Sequence, residues 1–243
     1  MIEMILPDGS VRKLEKPMTV VEFAKTIGSS LGKATVGAVI DGVQVDPSYL
    51  IEKPGTIEII TATSEKGIEI TRHSAAHIMA QAVQRLWPQA KFGVGPAIDN
   101  GFYYDIYLDG ATISEDSLPK IEKEMRKIIS ANYPFERRDV AIDEAIDWAK
   151  ENQQNFKIEL LNDLKRSGTT VASELSGENM SSANEAPNKV KTVSLYSQGD
   201  YVDLCRGGHV DSTGKVGAFK LTKVAGAYWR GNENNLQMQR IYG

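Results

Sequence analysis

The 243-residue chain has three histidines and one cysteine. They form two pairs of equal spacing, His73 with His77 and Cys205 with His209. Residues i and i+4 of a helix share a face, so His73 and His77 can point into one cavity. The second pair sits in Asp203-Leu-Cys-Arg-Gly-Gly-His209, where Gly207 and Gly208 predict a turn and not regular helix. Four such groups suit two chemistries. They could hold a zinc ion as soft and borderline ligands. Alternatively, they could be acid–base and hydrogen-bonding groups around a bound substrate. For a lone histidine the plain alternative is a ring satisfied by hydrogen bonds at a helix surface. That every His and Cys falls into two matched pairs weighs against it.

These residues need elements to carry them. Thr71 is placed to cap a helix running to about Trp87, where Pro88 stops it, with Ala76, Met79, Ala80 and Val83 as its apolar face. Residues 92–107 read as strand only in part, because Gly93, Gly95-Pro96 and Asn100-Gly101 are turn signals. Ser117 is placed to cap a further helix with Pro119 in its first turn and Leu118, Ile121, Met125 and Ile128 as the buried stripe. A helix from Asp143 to about Gln153 would bury Ile146 and Ala149. Residues 167–188 are rich in Ser, Gly, Thr, Asn and Glu and predict a long loop or insertion. Residues 190–203, 218–224 and 235–242 are strand-forming.

The start of the chain predicts a small mixed unit. Two short strands flank Pro7-Asp8-Gly9, and Thr19 can cap a helix over Val20 to Ile27. Asp41-Gly42 is the pair that a tight I′ hairpin needs. A strand over residues 56–61 completes the order strand, strand, helix, strand, strand, strand. The polar stretch from Thr61 to Gly67 reads as a domain boundary.

Composition bounds the function classes. Length predicts two domains at about 100–200 residues each. Apolar residues make up 41% and charged residues 25%, which excludes a mostly disordered chain. The net charge of −4 excludes a generic polyanion binder. Charge is uneven, however. Residues 1–65 hold six Lys/Arg and nine Asp/Glu, while residues 189–243 hold eight and four. A basic C-terminal segment fits a local nucleic-acid contact, or simply a solvated surface. No apolar run reaches the ~20 residues of a membrane span. Glu3 and the early turn do not read as a signal peptide. A lone cysteine suits a reducing cytoplasm.

Several motifs resemble one family. The order of elements at the start resembles a ubiquitin-like β-grasp, and more closely the TGS module at the front of threonyl-tRNA synthetases and some GTPases. Arg72-His-Ser-Ala-Ala-His77 resembles the opening motif of the second N-terminal domain of threonyl-tRNA synthetases. Gly95-Pro-Ala-Ile-Asp-Asn-Gly-Phe-Tyr-Tyr-Asp105, Phe156-Lys-Ile-Glu-Leu160, Tyr201-Val-Asp-Leu-Cys-Arg-Gly-Gly-His209 and Gly226-Ala-Tyr-Trp-Arg-Gly231 resemble later motifs of that region, in order. The resemblance covers nearly the whole chain. It departs at Gly208, where the family usually has proline, a change expected to loosen the loop holding His209. It also departs in the long 167–188 segment.

The resemblance implies an α+β chain with a TGS β-grasp domain over residues 1–63 and an editing domain over residues 64–243. It implies hydrolysis of tRNA(Thr) mischarged with serine. His73, His77, Lys157, Cys205 and His209 are the implied catalytic set. Lys157 and His73 would lie near the water or the leaving ribose oxygen, and Cys205 and His209 would flank a second water or the ester. Asp203 is implied for the seryl ammonium and Tyr104 for the adenosine or seryl group. Cys205 as a covalent nucleophile, activated by Arg206, is the minor reading. Threonyl-type flanks imply no metal, whereas an alanyl-type zinc deacylase would place zinc on His73, His77, Cys205 and His209. A tRNA-docking module without turnover is the non-enzymatic alternative. No segment resembles the ATP-binding motifs of the ligase reaction, so the chain is expected to be the N-terminal part of a longer, homodimeric, cytoplasmic ligase.

Overall fold

The computed structural model describes residues 1–168 and 190–243. From residue 169 onward, the expected 167–188 insertion lies outside the described residues.

Strands β1 (Ile2–Ile5) and β2 (Val11–Leu14) pair antiparallel around the predicted turn, with Gly9 at φ +81°. After the two-residue β3 (Met18–Thr19), helix α1 (Val20–Ile27) starts on a capping box. The Thr19 hydroxyl accepts from the Glu22 N–H, and the Glu22 carboxylate accepts from the Thr19 N–H. A short α2 (Ser29–Ala34) follows, which the sequence reading lacked. β4 (Thr35–Ile40) and β5 (Val43–Val45) close on Asp41-Gly42, both at positive φ, as an I′ turn requires. β6 (Leu50–Ile51) pairs with β3, and β7 (Gly55–Thr61) pairs parallel with β1 and antiparallel with β4. The sheet order is β2-β1-β7-β4-β5, the β-grasp arrangement. Met4, Leu14, Val20, Phe23, Ala38, Ile51 and Ile57 form its core. Val36 and Ile60 of this sheet belong instead to the larger core, with Ile70.

Helix α3 (Glu65–Leu86) is the central element of the rest. It begins about two turns before the predicted Thr71 cap. Ser64 is the cap, its hydroxyl accepting from the Gly67 N–H at 3.2 Å. Thr71 lies inside the helix and donates to the Gly67 carbonyl at 2.8 Å. The polar Thr61 to Gly67 stretch, expected as a domain boundary, thus supplies the first residues of α3, although Gly67 is a poor helix former. Here it has a packing reason: a Cβ at 67 would lie 1.9 Å from the Thr61 carbonyl oxygen. From Ser74 to Val83 every position of α3 is buried, which marks a helix enclosed on all sides.

Against α3 pack β8 (Lys91–Phe92), β9 (Ala97–Ile98) and β10 (Gly101–Tyr107), joined by β14 (Lys223–Tyr228) and β15 (Gln237–Tyr242) in one antiparallel sheet. β14 lies further along than the predicted 218–224. α4 (Leu118–Ala131) buries Leu118, Ile121, Met125 and Ile128 as predicted, but Ser117 is itself helical and makes no capping bond. A second sheet joins β11 (Glu136–Ala141), β12 (Thr192–Gln198) and β13 (Tyr201–Leu204). α5 (Ile142–Glu151) and the unpredicted α6 (Asn155–Ser167) cover it through Ile146, Ala149, Leu161, Val193 and Leu195. Among the described residues, no helix is long and apolar enough to cross a membrane.

Candidate active site

Four elements aim side chains at one cavity. α3 supplies His73 and His77, which share a face at i and i+4 with ring centroids 5.0 Å apart. β10 supplies Tyr104, and the first turn of α6 supplies Lys157, on a buried face with Phe156 and Leu160. Strand alternation turns Tyr201 and Asp203 of β13 inward. The chain then leaves the sheet at Cys205 and turns back through Gly207 and Gly208 to His209.

Gly207 and Gly208 have φ of +102° and +83°, which side-chain-bearing residues rarely adopt. This tight return brings the His209 Nε2 to 3.4 Å from the Cys205 Sγ. The His73 Nε2 is 3.4 Å from the same sulfur, and the Gly207 N–H donates to it at 3.3 Å. The three imidazoles cluster: His209 stacks on His73 with ring centroids 4.4 Å apart, His77 meets the His209 ring edge-on at 4.3 Å, and Phe135 lies parallel to His209 at 4.6 Å. The loop expected to be loosened by Gly208 is thus held by named contacts.

Ser74 fixes the His209 tautomer. Its hydroxyl donates to the Ile70 carbonyl at 2.9 Å and accepts from the Val210 N–H at 3.0 Å. With its one proton so directed, it accepts from the His209 Nδ1, 3.2 Å away. The His209 Nε2 is then a bare lone pair facing the thiol.

Burial keeps this wall uncharged. It lowers the pKa of His73, which the Gly208 backbone pulls back upward. It lowers His77 and His209 further, and neighbouring imidazoles add to the effect. It pushes the Cys205 thiol up to about 12. Cys205 is therefore a thiol near neutrality, which weakens the covalent-nucleophile reading; Arg206 does not offset the burial. The opposite wall is ionic. The Lys157 Nζ lies 2.7 Å from the Asp203 Oδ1 and 3.2 Å from the Tyr104 hydroxyl. The Tyr104 hydroxyl donates to the Asp203 Oδ2, which also accepts from Tyr201 at 3.3 Å. His77 Nε2 approaches the same carboxylate at 3.8 Å, but its neutral ring forms no ion pair with it.

His73, His77, Tyr104, Lys157, Asp203 and Cys205 line a cavity of about 400 Å³. His209 stands behind that wall, 1% exposed. All seven residues named from the sequence therefore converge. The sequence reading missed Ser74, although it lies inside the quoted Arg72–His77 motif. It also missed Tyr201, two residues before Asp203 on the same strand face. Gln44 of β5 lines the cavity too, and nothing local in the sequence marks it. One donor atom each from His73, His77, Cys205 and His209 lies within 4.8 Å of the others, a grouping a metal ion could use.

Comparison with known proteins finds matches to both parts of the chain. A TGS domain model matches residues 2–61. The model described as the threonyl and alanyl tRNA synthetase second additional domain matches residues 193–242, which include Asp203, Cys205 and His209. Threonine–tRNA ligase 1 of Bacillus subtilis is 44% identical over all 243 residues, covering 34% of that protein. The threonine–tRNA ligase of Ruthia magnifica is 44% identical over 98% of this chain and 34% of its own length. That of Streptococcus agalactiae is 42% identical over the whole chain, again 34% of the relative. The chain spans about a third of the length of the curated relatives it matches. It carries a TGS domain followed by the second additional domain of threonyl and alanyl tRNA synthetases, and over its whole length it is similar to the N-terminal region of threonine–tRNA ligases.

Proposed function

We propose that this chain hydrolyses the aminoacyl ester of a mischarged tRNA, with Ser-tRNA(Thr) as substrate, using a TGS domain over residues 1–63 and an editing domain over residues 64–243. The observation that carries the reading is the convergence of neutral imidazoles and a thiol with the Lys157–Asp203 pair on one cavity. The chemistry gives such a site a purpose. A pocket shaped for threonine cannot strongly reject serine, since one missing methyl is worth only ~1–3 kcal/mol. A second, smaller site that hydrolyses the serine ester restores the discrimination.

The roles follow from charge and position. His73 is neutral and lines the cavity, so it can take a proton from the attacking water and return it to the departing ribose oxygen. Lys157, its ammonium held by Asp203, stabilises the oxyanion that forms on the ester carbonyl. Cys205, as a thiol, holds the second water or the ester by hydrogen bonding. His77 and His209 orient their neighbours. Asp203 offers negative charge to the seryl ammonium, and Tyr104 meets the seryl or adenosine end. The reading belongs to a longer cytoplasmic ligase, a homodimer, with the tRNA(Thr) acceptor end as partner.

A metal-dependent variant has its own observation, the four grouped donors together with a His77 Nδ1 that has no hydrogen-bond partner among the described residues. Cysteine and histidine are a donor set that zinc accepts. His73, His77, Cys205 and His209 would hold the ion, which when bound would polarise the ester carbonyl or a water. Metal analysis of protein purified without chelator separates the two variants; our reading expects no stoichiometric metal.

The experiment that tests the function is deacylation of Ser-tRNA(Thr) and Thr-tRNA(Thr) side by side. The serine ester is expected to be cleaved and the threonine ester spared. Equal rates would remove the specificity argument. Binding of tRNA with no hydrolysis would favour the docking module.

A further inference from the structure

The turn that carries the hydrolytic residues is closed by a residue far away in sequence. Asp46 follows β5 in the N-terminal TGS module. Its Oδ1 accepts from the backbone N–H groups of both Gly208 and His209, at 3.3 Å each. Its Oδ2 accepts from the Tyr196 hydroxyl at 2.5 Å. Successive N–H groups of a left-handed turn form a concavity suited to an anion, and here a carboxylate of the same chain fills it. The fit leaves little slack. A Cβ at Gly207 would lie 2.2 Å from the Tyr196 hydroxyl oxygen, and one at Gly208 would lie 2.6 Å from the Gln44 Nε2. The module is anchored as well, because Val36 and Ile60 share a core with Ile70 of α3, one turn before the catalytic helix face.

Resting on the function proposed above, we infer that Asp46 is a positioning residue for hydrolysis: the TGS module latches the Gly207–His209 turn so that Cys205 faces the cavity with His209 held directly behind it. On this account the module completes the hydrolytic site and is not a separate appendage. Gln44 of β5, two residues before Asp46, gives the module a share of the cavity wall.

The lone thiol makes the latch measurable apart from catalysis. Cys205 is free and partly buried, so its labelling by a disulfide reagent (Ellman's) in the whole chain reports opening of the turn. Asp46→Ala is expected to label about tenfold faster than the native chain. It is also expected to lower kcat for Ser-tRNA(Thr) by about 10- to 100-fold, with KM little changed. Asp46→Asn keeps an oxygen that can accept from both N–H groups, and is expected to restore labelling and kcat to near native values. Tyr196→Phe removes only the bond to Oδ2 and should fall between, which keeps the test open if Asp46→Ala does not fold. Native labelling and native kcat in Asp46→Ala would overturn the latch. So would a failure of Asp46→Asn to restore either one. If the native chain shows no hydrolysis, the proposed function fails, and the labelling arm alone still decides whether Asp46 holds the turn.

Discussion

The two walls of the cavity meet the same low dielectric and answer it in opposite ways. On one wall His73, His77, His209 and Cys205 have no charged partner in hydrogen-bonding contact, and burial holds all four neutral. On the other, Lys157 and Asp203 are as deeply buried but sit 2.7 Å apart, with two tyrosine hydroxyls on the carboxylate. Burial removes a charge only where nothing local compensates for it. The pairing therefore assigns the chemistry: neutral groups that can accept a proton stand opposite a fixed ammonium that can stabilise an anion.

Breaking the ionic wall should have the largest effect. Lys157→Met leaves the Asp203 carboxylate buried without its cation, and a loss of roughly 3–5 kcal/mol is expected in chemical denaturation. A loss below about 1 kcal/mol would mean that the two walls do not differ as described. The neutral wall should show itself through pH. The unfolded chain takes up protons on three histidines as pH falls through about 6.5, and the folded chain, whose imidazole pKa values burial lowers, well below the ordinary value for His77 and His209, takes up fewer. Stability should thus fall by about 1–2 kcal/mol between pH 7.5 and 6, and unfolding curves across that range would show it. The thiol has the opposite sign. Its raised pKa makes stability decline as pH rises from the ordinary thiol range toward about 12. Stability that is flat from pH 7.5 to 6 would show charged imidazoles in the native state. Ser74→Ala tests the tautomer. It removes the acceptor for the Val210 N–H and the His209 Nδ1, and should cost about 1–2 kcal/mol along with a lower deacylation rate.

Much of this could be read from the residues, and the parts that could not have physical reasons. The helix cap at Thr19, the Asp41-Gly42 turn and the stripe of α4 are local features and appear where local rules put them. α3 begins earlier than expected because its first turn is polar and resembles a linker, with Gly67 letting the helix pass the Thr61 carbonyl. α6 was missed although its motif, Phe156 to Leu160, was recognised. A motif names residues without naming the element under them. The seven site residues were legible because their types are rare or their motifs distinctive. Ser74, Tyr201 and Asp46 were not, since a serine in a helix, a tyrosine in a strand and an aspartate after a hairpin are common. Only the fold brings Asp46 to a turn 162 residues away.

The most direct test of the central claim is His73→Ala. Single-turnover cleavage of Ser-tRNA(Thr) should be measured beside tRNA binding for the native chain and the variant. The account predicts a loss of about 10²–10⁴-fold in hydrolysis with binding retained. Native-like hydrolysis by His73→Ala would contradict it.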